Sequence, residues 1–419
     1  MTHDTIVIGA GLAGLTAGLR LADEGQRVLV IAEGIGSTHL APATIDVLGF
    51  YDGEVESPAE AFPRFADAHP AHPYARLSAE LIAASIEWFK ARFPVFGYRG
   101  GLDKNFLLPT ALGTAKPSSV VPETMAQGDL SAGGRFVFVG LGLKDFYPAY
   151  LAENLGHVAL AGSTVSARAA ELAPPLGAEA DVGSLGFARR FEQRAFREAV
   201  VRELASRVEP DERVGFPSVL GVRNVGEVWR ELEAQLERPV FEVATLPPSV
   251  TGIRLFEAMT AALRQAGGRI AIGSPVVGAE TGNGRVEGVV AQAAARPTPY
   301  RARSFVLASG GVAAGGIHVD SYGKIREAVF DLALAGLPAA NGRPPFLPTY
   351  LEEQPLDRVG VPVDDRLRPV GADGRPRYEN LYAAGATLAG AVPWQEASGN
   401  GLSLATGYAA AAAILERAS

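Results

Sequence analysis

Residues 7–14 read VIGAGLAG, with glycines at 9, 11 and 14 in the G-x-G-x-x-G spacing of a dinucleotide-binding turn. The spacing alone is a weak signal, and its context strengthens it. The run TIVIG before it has the β-branched character of a buried strand. After it, Leu12, Leu15, Leu19 and Ala22 recur at helical spacing, Gly25 closes the helix, and RVLVI supplies a second strand. Residues 5–33 thus read as one strand–helix–strand unit, the opening of a doubly wound α/β fold. The glycines let the backbone approach a pyrophosphate. The helix start offers N–H groups and the positive end of its dipole. Such a turn serves NAD, FAD and FMN alike, so the rest of the chain has to choose.

Length and composition narrow the field. A chain of 419 residues can bury a sizeable core and predicts two domains rather than one. A net charge of −8 argues against a nucleic-acid partner, which a basic patch normally meets. No apolar run reaches 18 residues; the Ala-rich stretch 402–415 is too short and too weakly apolar to span a bilayer. There is no cysteine, which excludes disulfides, thiolate zinc sites, a Cys nucleophile and self-held iron–sulfur clusters. No metal site is expected. Any longer electron relay must come from a bound organic cofactor or a partner chain. A strand begins within five residues of the N-terminus with no signal peptide ahead of it. The expectation is a cytoplasmic protein, peripheral at the inner face of the cell membrane only through partner subunits.

Along the chain, a helix is predicted over 76–92, followed by the Gly/Pro/Thr-rich stretch 101–122. A strand at 135–140, a second within HVALAGSTV (157–165) and a helix near 187–207 alternate as an inserted α/β subdomain. The mixed Arg/Glu run ARRFEQRAFRE, 188–198, reads as a solvated or subunit-facing helix. A third phase follows from residue 245. It holds a helix closed by Gly267-Gly268, strands around an Asn283-Gly284 turn, and SFVLASGG at 304–311. The predicted division is a discontinuous nucleotide domain of 1–75, 250–325 and 365–419, an inserted substrate or interaction domain of 76–249, and a connecting segment of 326–364.

Two late segments favour flavin over nicotinamide. A strand running into Gly310-Gly311, then NLYAAG and a Gly-rich turn into a last helix, form the discontinuous pattern of flavoprotein oxidoreductases. The fold class expected is therefore α/β, a Rossmann-like FAD/NAD(P)-binding flavoprotein fold with an inserted α/β subdomain. The last helix, starting near Asn400-Gly401, would aim its N–H groups at the flavin pyrimidine edge, where negative charge gathers on reduction.

The segments IVIGAGLAGLTAGLRL (6–21), THLAPATIDVLG (38–49), AHPY (71–74), LPTALGTAKPS (108–118), TLPPSVTGIRL (245–255), FVLASGGVAAGGI (305–317) and ENLYAAGATLAG (379–390) together make the chain resemble, over nearly its whole length, the B subunits of anaerobic glycerol-3-phosphate dehydrogenases. TLPPSVTGIRL is the most specific, since no general folding rule demands it. The resemblance implies a flavoprotein in a three-part respiratory complex that oxidises sn-glycerol 3-phosphate to dihydroxyacetone phosphate. A catalytic A subunit would stand alongside, and electrons would pass to quinone through an iron–sulfur, membrane-anchoring C subunit. The alternatives are a flavoprotein acting on another small alcohol or amine, and a catalytically silent scaffold of the same fold.

Cofactor contacts are expected at Gly9, Gly11, Leu12, Ala13, Gly14, Glu33, Gly34, His39, Leu40, Val277, Ser309, Gly310, Gly385, Ala386, Asn400, Gly401 and Leu402. Two positions depart from the flavoprotein pattern. The acid that holds the adenosine ribose is expected eighteen residues after Gly14, where Ala32 stands, with Glu33 one place on. One step along a strand reverses the side chain, which leaves FAD and FMN both open. The acid expected after Gly385 for the ribityl chain is Ala386. His39 lies in the loop that approaches the flavin in succinate dehydrogenase and fumarate reductase flavoproteins, where a His bonds the flavin. Covalent attachment, hydrogen bonding and packing are all open to it. His318 is a candidate general base for alcohol oxidation, since imidazole titrates in the useful range. A phosphorylated substrate needs cations; Lys116, Arg254 and Arg326 are the candidates, with Lys104 in the same Gly-rich surroundings. Helix-face pairing with Glu257 is the alternative for Arg254.

Overall fold

The structure, a computed structural model, describes residues 3–160, 162–173, 175, 182–292, 296–338, 346–349 and 351–418. Contacts gather it into two units: Met1–Ser37 with Ala59–Trp88 and Glu257–Ser419, and Thr38–Pro58 with Phe89–Phe256.

In the first unit, the β-branched run of the opening strand (His3–Ile8) and the following VLVIA (Val28–Ala32) are buried almost throughout. Strands covered on both faces read as near-continuous apolar runs, the signature of a parallel sheet. Five strands run parallel in the order Arg269–Ile272, Val28–Ala32, His3–Ile8, Pro297–Leu307, Leu381–Ala383. Val7 stands between Val30 and Val306, so the opening strand has parallel neighbours on both sides. Its carboxyl end is a topological switch point, where ligands of such sheets bind. Pro297–Leu307 does two jobs. Its polar, half-exposed first part pairs antiparallel with Arg285–Gln292, and its buried FVL end joins the parallel sheet. Asn283 and Gly284, with φ of 51° and 70°, form the hairpin turn of this meander.

The helix after the glycine turn, Leu12–Asp23, packs along the last helix, Gly399–Ala418. Small residues permit the approach: a Cβ on Gly407 would come 2.4 Å from the Ala13 carbonyl oxygen. The Ala-rich tail is thus a packing helix. Among the described residues no helix is long and apolar enough to cross a membrane.

The second unit has its own parallel sheet, ordered Val240–Val243, Glu212–Pro217, Gly134–Gly140, Val165–Glu171. Phe136, Phe138, Phe191, Phe216 and Phe241 fill its core. The predicted α/β alternation is present here, with two local differences. The strand read within 157–165 forms at Val165–Glu171 instead. The run 188–198 is split between two helices, Ser184–Phe191 and Arg194–Leu204, and is not simply solvated. Phe191, Phe196 and Arg197 are buried, and Arg197 pairs with Glu231 at 2.5 Å.

The unit boundaries also differ from those read in the sequence. Residues 38–58 join the second unit because their backbone is satisfied there. Asn105 donates to the Leu48 and Val55 carbonyls (2.9 and 2.7 Å), Tyr98 donates to the Ala43 carbonyl (2.9 Å), and Ile45 bridges to Val120. The described part of 326–364 belongs to the first unit, where Val361 bridges to Leu388. Residues 76–88 join that unit too, and the boundary near 250 falls inside the helix Val250–Gln265.

Candidate functional site

At the switch point, Gly9 has φ +111°, and a Cβ there would lie 2.1 Å from the Ala308 carbonyl oxygen. A Cβ on Gly14 would lie 2.1 Å from the Gly9 carbonyl oxygen. Both positions therefore require glycine. Gly11 is different: a Cβ there would meet nothing within 4 Å. It is the residue before the helix Leu12–Asp23, whose start has no side-chain cap and no acid in its first turn. An open Cβ direction beside uncapped amides is the geometry that accepts a phosphate group.

Three more predicted segments interlock with this turn. A Cβ on Gly385 would come 2.8 Å from the Ala13 Cβ, and its N–H donates to the Thr406 hydroxyl of the last helix (2.8 Å). A Cβ on Gly311 would come 2.8 Å from the Ala386 carbonyl oxygen. Thr387 ties the turns together: it accepts from the Gly310 N–H (3.0 Å) and donates to the Gly310 carbonyl (3.2 Å). Ser309 leaves its hydroxyl buried with no hydrogen-bond partner among the described residues. An orphaned hydroxyl there, uncapped amides and the open face of Gly11 together fit a large phosphate-bearing cofactor.

The second strand ends in regular register at Ala32, which is buried. Glu33 is exposed in the bend beyond it, before the exposed Gly34, so strand alternation no longer governs its direction. The Ala32 and Glu33 carbonyls accept from Ser274 and Gly273 (3.0 and 3.1 Å). Val277, half-exposed, follows in the same segment at a register shift. Ala386 is exposed between buried neighbours.

Asn400, Gly401 and Leu402 occupy the first turn of the last helix, and Leu402 donates to the Ser398 carbonyl (2.8 Å). Behind them lies a network absent from the sequence reading. His72 Nδ1 accepts from the Tyr74 N–H (3.0 Å), so its Nε2 carries the proton donated to Glu396 Oε2 (3.2 Å). Glu396 also accepts from Ser398 Oγ and the Val392 N–H, each at 2.7 Å. Burial pushes this carboxyl up, but the bonds from His72, Val392 and Ser398 outweigh it and hold it below its ordinary value. AHPY signalled His72 only as part of a resemblance.

His318 and Arg326 stand opposite each other on the hairpin Ile317–Val319 and Ile325–Glu327, and both are exposed. The remaining candidates belong to the second unit. His39 packs edge-on against Phe256, with centroids 4.8 Å apart, and its carbonyl accepts from Ser249 (2.8 Å). Leu40 beside it is exposed. Lys116 pairs with Asp46 at 2.5 Å, and Lys104 with Glu56 at 3.6 Å. Arg254 is buried and its guanidinium is committed: two bonds to Glu242 (2.7 and 2.9 Å) and one to the Gly221 carbonyl (2.8 Å). Its carboxylate partner is Glu242, seated on a neighbouring strand, and not the helix neighbour Glu257. Its charge is neutralised before any phosphate arrives.

Comparison with known proteins agrees with this geometry. Residues 4–402 match the model of an FAD-binding domain family. The probable B subunit of the anaerobic glycerol-3-phosphate dehydrogenase of Halobacterium salinarum is 34% identical, with 99% of this chain and 98% of the relative covered. The B subunit of the anaerobic glycerol-3-phosphate dehydrogenase of Pectobacterium atrosepticum is 31% identical, with 99% of each covered. The expected flavin is thus met by an FAD-binding family. The chain belongs to that family and to the family of anaerobic glycerol-3-phosphate dehydrogenase B subunits.

Proposed function

We propose that this chain is the FAD-bearing B subunit of a respiratory complex that oxidises sn-glycerol 3-phosphate to dihydroxyacetone phosphate. An iron–sulfur partner subunit takes the electrons on to quinone and provides the membrane contact, with an A subunit completing the complex. The observation that carries the reading is the interlocking of four glycine-bearing segments around one sheet end, in a chain whose full-length relatives bear that name. Gly9, Gly11, Leu12, Ala13 and Gly14 would hold the pyrophosphate. Glu33 would take the ribose hydroxyls, and the first turn of the last helix would face the flavin ring. When bound, the flavin supplies a two-electron acceptor for the alcohol. On the hairpin, His318 would take the hydroxyl proton while Arg326, its cross-strand neighbour, holds the phosphate.

A second reading has an observation of its own. Two of the three candidate phosphate cations, Lys116 and Arg254, are already paired with carboxylates. That favours an electron-carrying role here, with the alcohol oxidised in another subunit. The purified chain should be yellow, and acid release followed by chromatography should yield FAD. Glycerol 3-phosphate should then bleach the flavin under anaerobic conditions. Bleaching of the isolated chain supports catalysis here, and bleaching only in the assembled complex supports the second reading. No bleaching in the complete complex would remove the substrate assignment.

A further inference from the structure

The network behind the last helix has a consequence for the cofactor. Glu396 and Ser398 lie just ahead of Gly399, where the last helix begins. His72 is fully buried, and Glu396 is 8% exposed. His72 Nδ1 already accepts from the Tyr74 N–H, which leaves Nε2 to donate to Glu396. The groups that bond the Glu396 carboxylate are all donors: His72, Ser398 and the Val392 N–H. Among the described residues, these three donors on two oxygens favour the ionised form of Glu396 inside the protein. Arg358, the guanidinium whose charge reaches Glu396, is itself bonded to Glu353 through two nitrogens at 2.5 and 3.0 Å. The Ser398 hydroxyl, of the kind that often caps a helix start, is donated to Glu396, while its carbonyl accepts the first helical bond.

A helix N-terminus carries a partial positive charge that favours nearby anions. A fixed carboxylate at that end takes up part of this field. Negative charge gained by another group at the same end is then less favoured.

We propose that His72, Glu396 and Ser398 form a positioning device that fixes a buried negative charge at the start of the last helix and so holds the flavin at a lower reduction potential. His72 and Ser398 act through Glu396, and Glu396 acts through the helix end. The inference rests on the reading that this helix end faces the flavin ring.

The test uses the full chain reconstituted with FAD. Thermal unfolding, FAD dissociation by fluorescence titration, and midpoint potential by spectroelectrochemistry are compared for wild type, Glu396→Gln, His72→Gln, His72→Leu and Asn380→Ala. Asn380 is a buried polar residue of the same unit, bonded to Val286 and Arg303 backbone and outside the network. Glu396→Gln should favour the reduced over the oxidised cofactor by about tenfold, a positive shift of ~30 mV for a two-electron couple. His72→Gln keeps an N–H donor and should hold the potential near the wild-type value, whereas His72→Leu should shift it positive toward that of Glu396→Gln. Asn380→Ala should lower the unfolding temperature and leave the potential unmoved. An unmoved potential in Glu396→Gln, with unfolding lowered as in Asn380→Ala, overturns the proposal. Should Glu396→Gln not fold, equal potentials in the two His72 variants overturn it. A wild-type chain that takes up no FAD overturns the flavin reading and this proposal together; FAD binding with an unmoved potential overturns this proposal alone.

Discussion

Gly9 shows how much a single position can carry. Its φ of +111° disfavours any side chain, and a Cβ would sit 2.1 Å from the Ala308 carbonyl oxygen. Gly9→Ala is expected to cost about 3 kcal/mol or more and to abolish flavin uptake, read by thermal unfolding and flavin content. Gly11 tolerates Ala in the folded chain, since its Cβ direction is open, so Gly11→Ala should leave unfolding nearly unchanged while weakening FAD. Equal effects on folding at both positions would contradict this division. Arg254 behaves in the opposite sense to a ligand-binding cation. Arg254→Ala strands the Glu242 carboxylate, 2% exposed, and should destabilise the chain by about 3–5 kcal/mol. A well-folded variant with only weakened substrate binding would return Arg254 to the phosphate. Sequence marked Arg254 as important, but its partner is twelve residues away on another element, beyond any local pairing rule.

At the scale of elements, the glycine turns hold one another through Thr387. It bonds both the N–H and the carbonyl of Gly310. Thr387→Val keeps the shape and removes both bonds. A loss of about 1–3 kcal/mol is expected, with faster flavin release in stopped-flow dilution. Unchanged release would mean that the turns are fixed without Thr387. The parallel strands were legible because their residues are apolar without alternation. The run 188–198 was not, because charge density hid the spacing of Phe187, Phe191 and Phe196, which fill the core. Residues 38–58 carry no sign of the unit they join; Asn105, Tyr98 and Val120 decide it.

For the whole molecule, pH response follows from a few carboxyls. The Arg27 hydrogen bond holds Asp4 down to about 2, and Glu396 is also held low. A depressed folded value stabilises above the unfolded carboxyl range and is lost as pH falls through the folded value. Burial raises Glu327 instead, so its contribution improves as pH falls through its raised value. Unfolding temperature should therefore drop most steeply below about pH 4, where the depressed group dominates. Asp4→Asn should be less stable than wild type at neutral pH, with the gap closing as pH approaches about 2. A gap that persists there would mean that Asp4 does not supply this part of the response.

By itself the sequence determined the class of the fold and the chemistry of its turn. Glycine at 9 and 14, an apolar strand before them and a periodic helix after them are local requirements, and local requirements are written in neighbouring residues. The late segments 304–311 and 379–390 were recognisable for the same reason. Tertiary structure alone decided which polar groups are spent and which remain. Arg254 is neutralised by Glu242, His72 is tied to a carboxylate 324 positions away, and Ser309 keeps its hydroxyl unpaired among the described residues. Hydrogen-bond partners and burial depend on distances between segments remote in the chain, and no spacing rule encodes those distances.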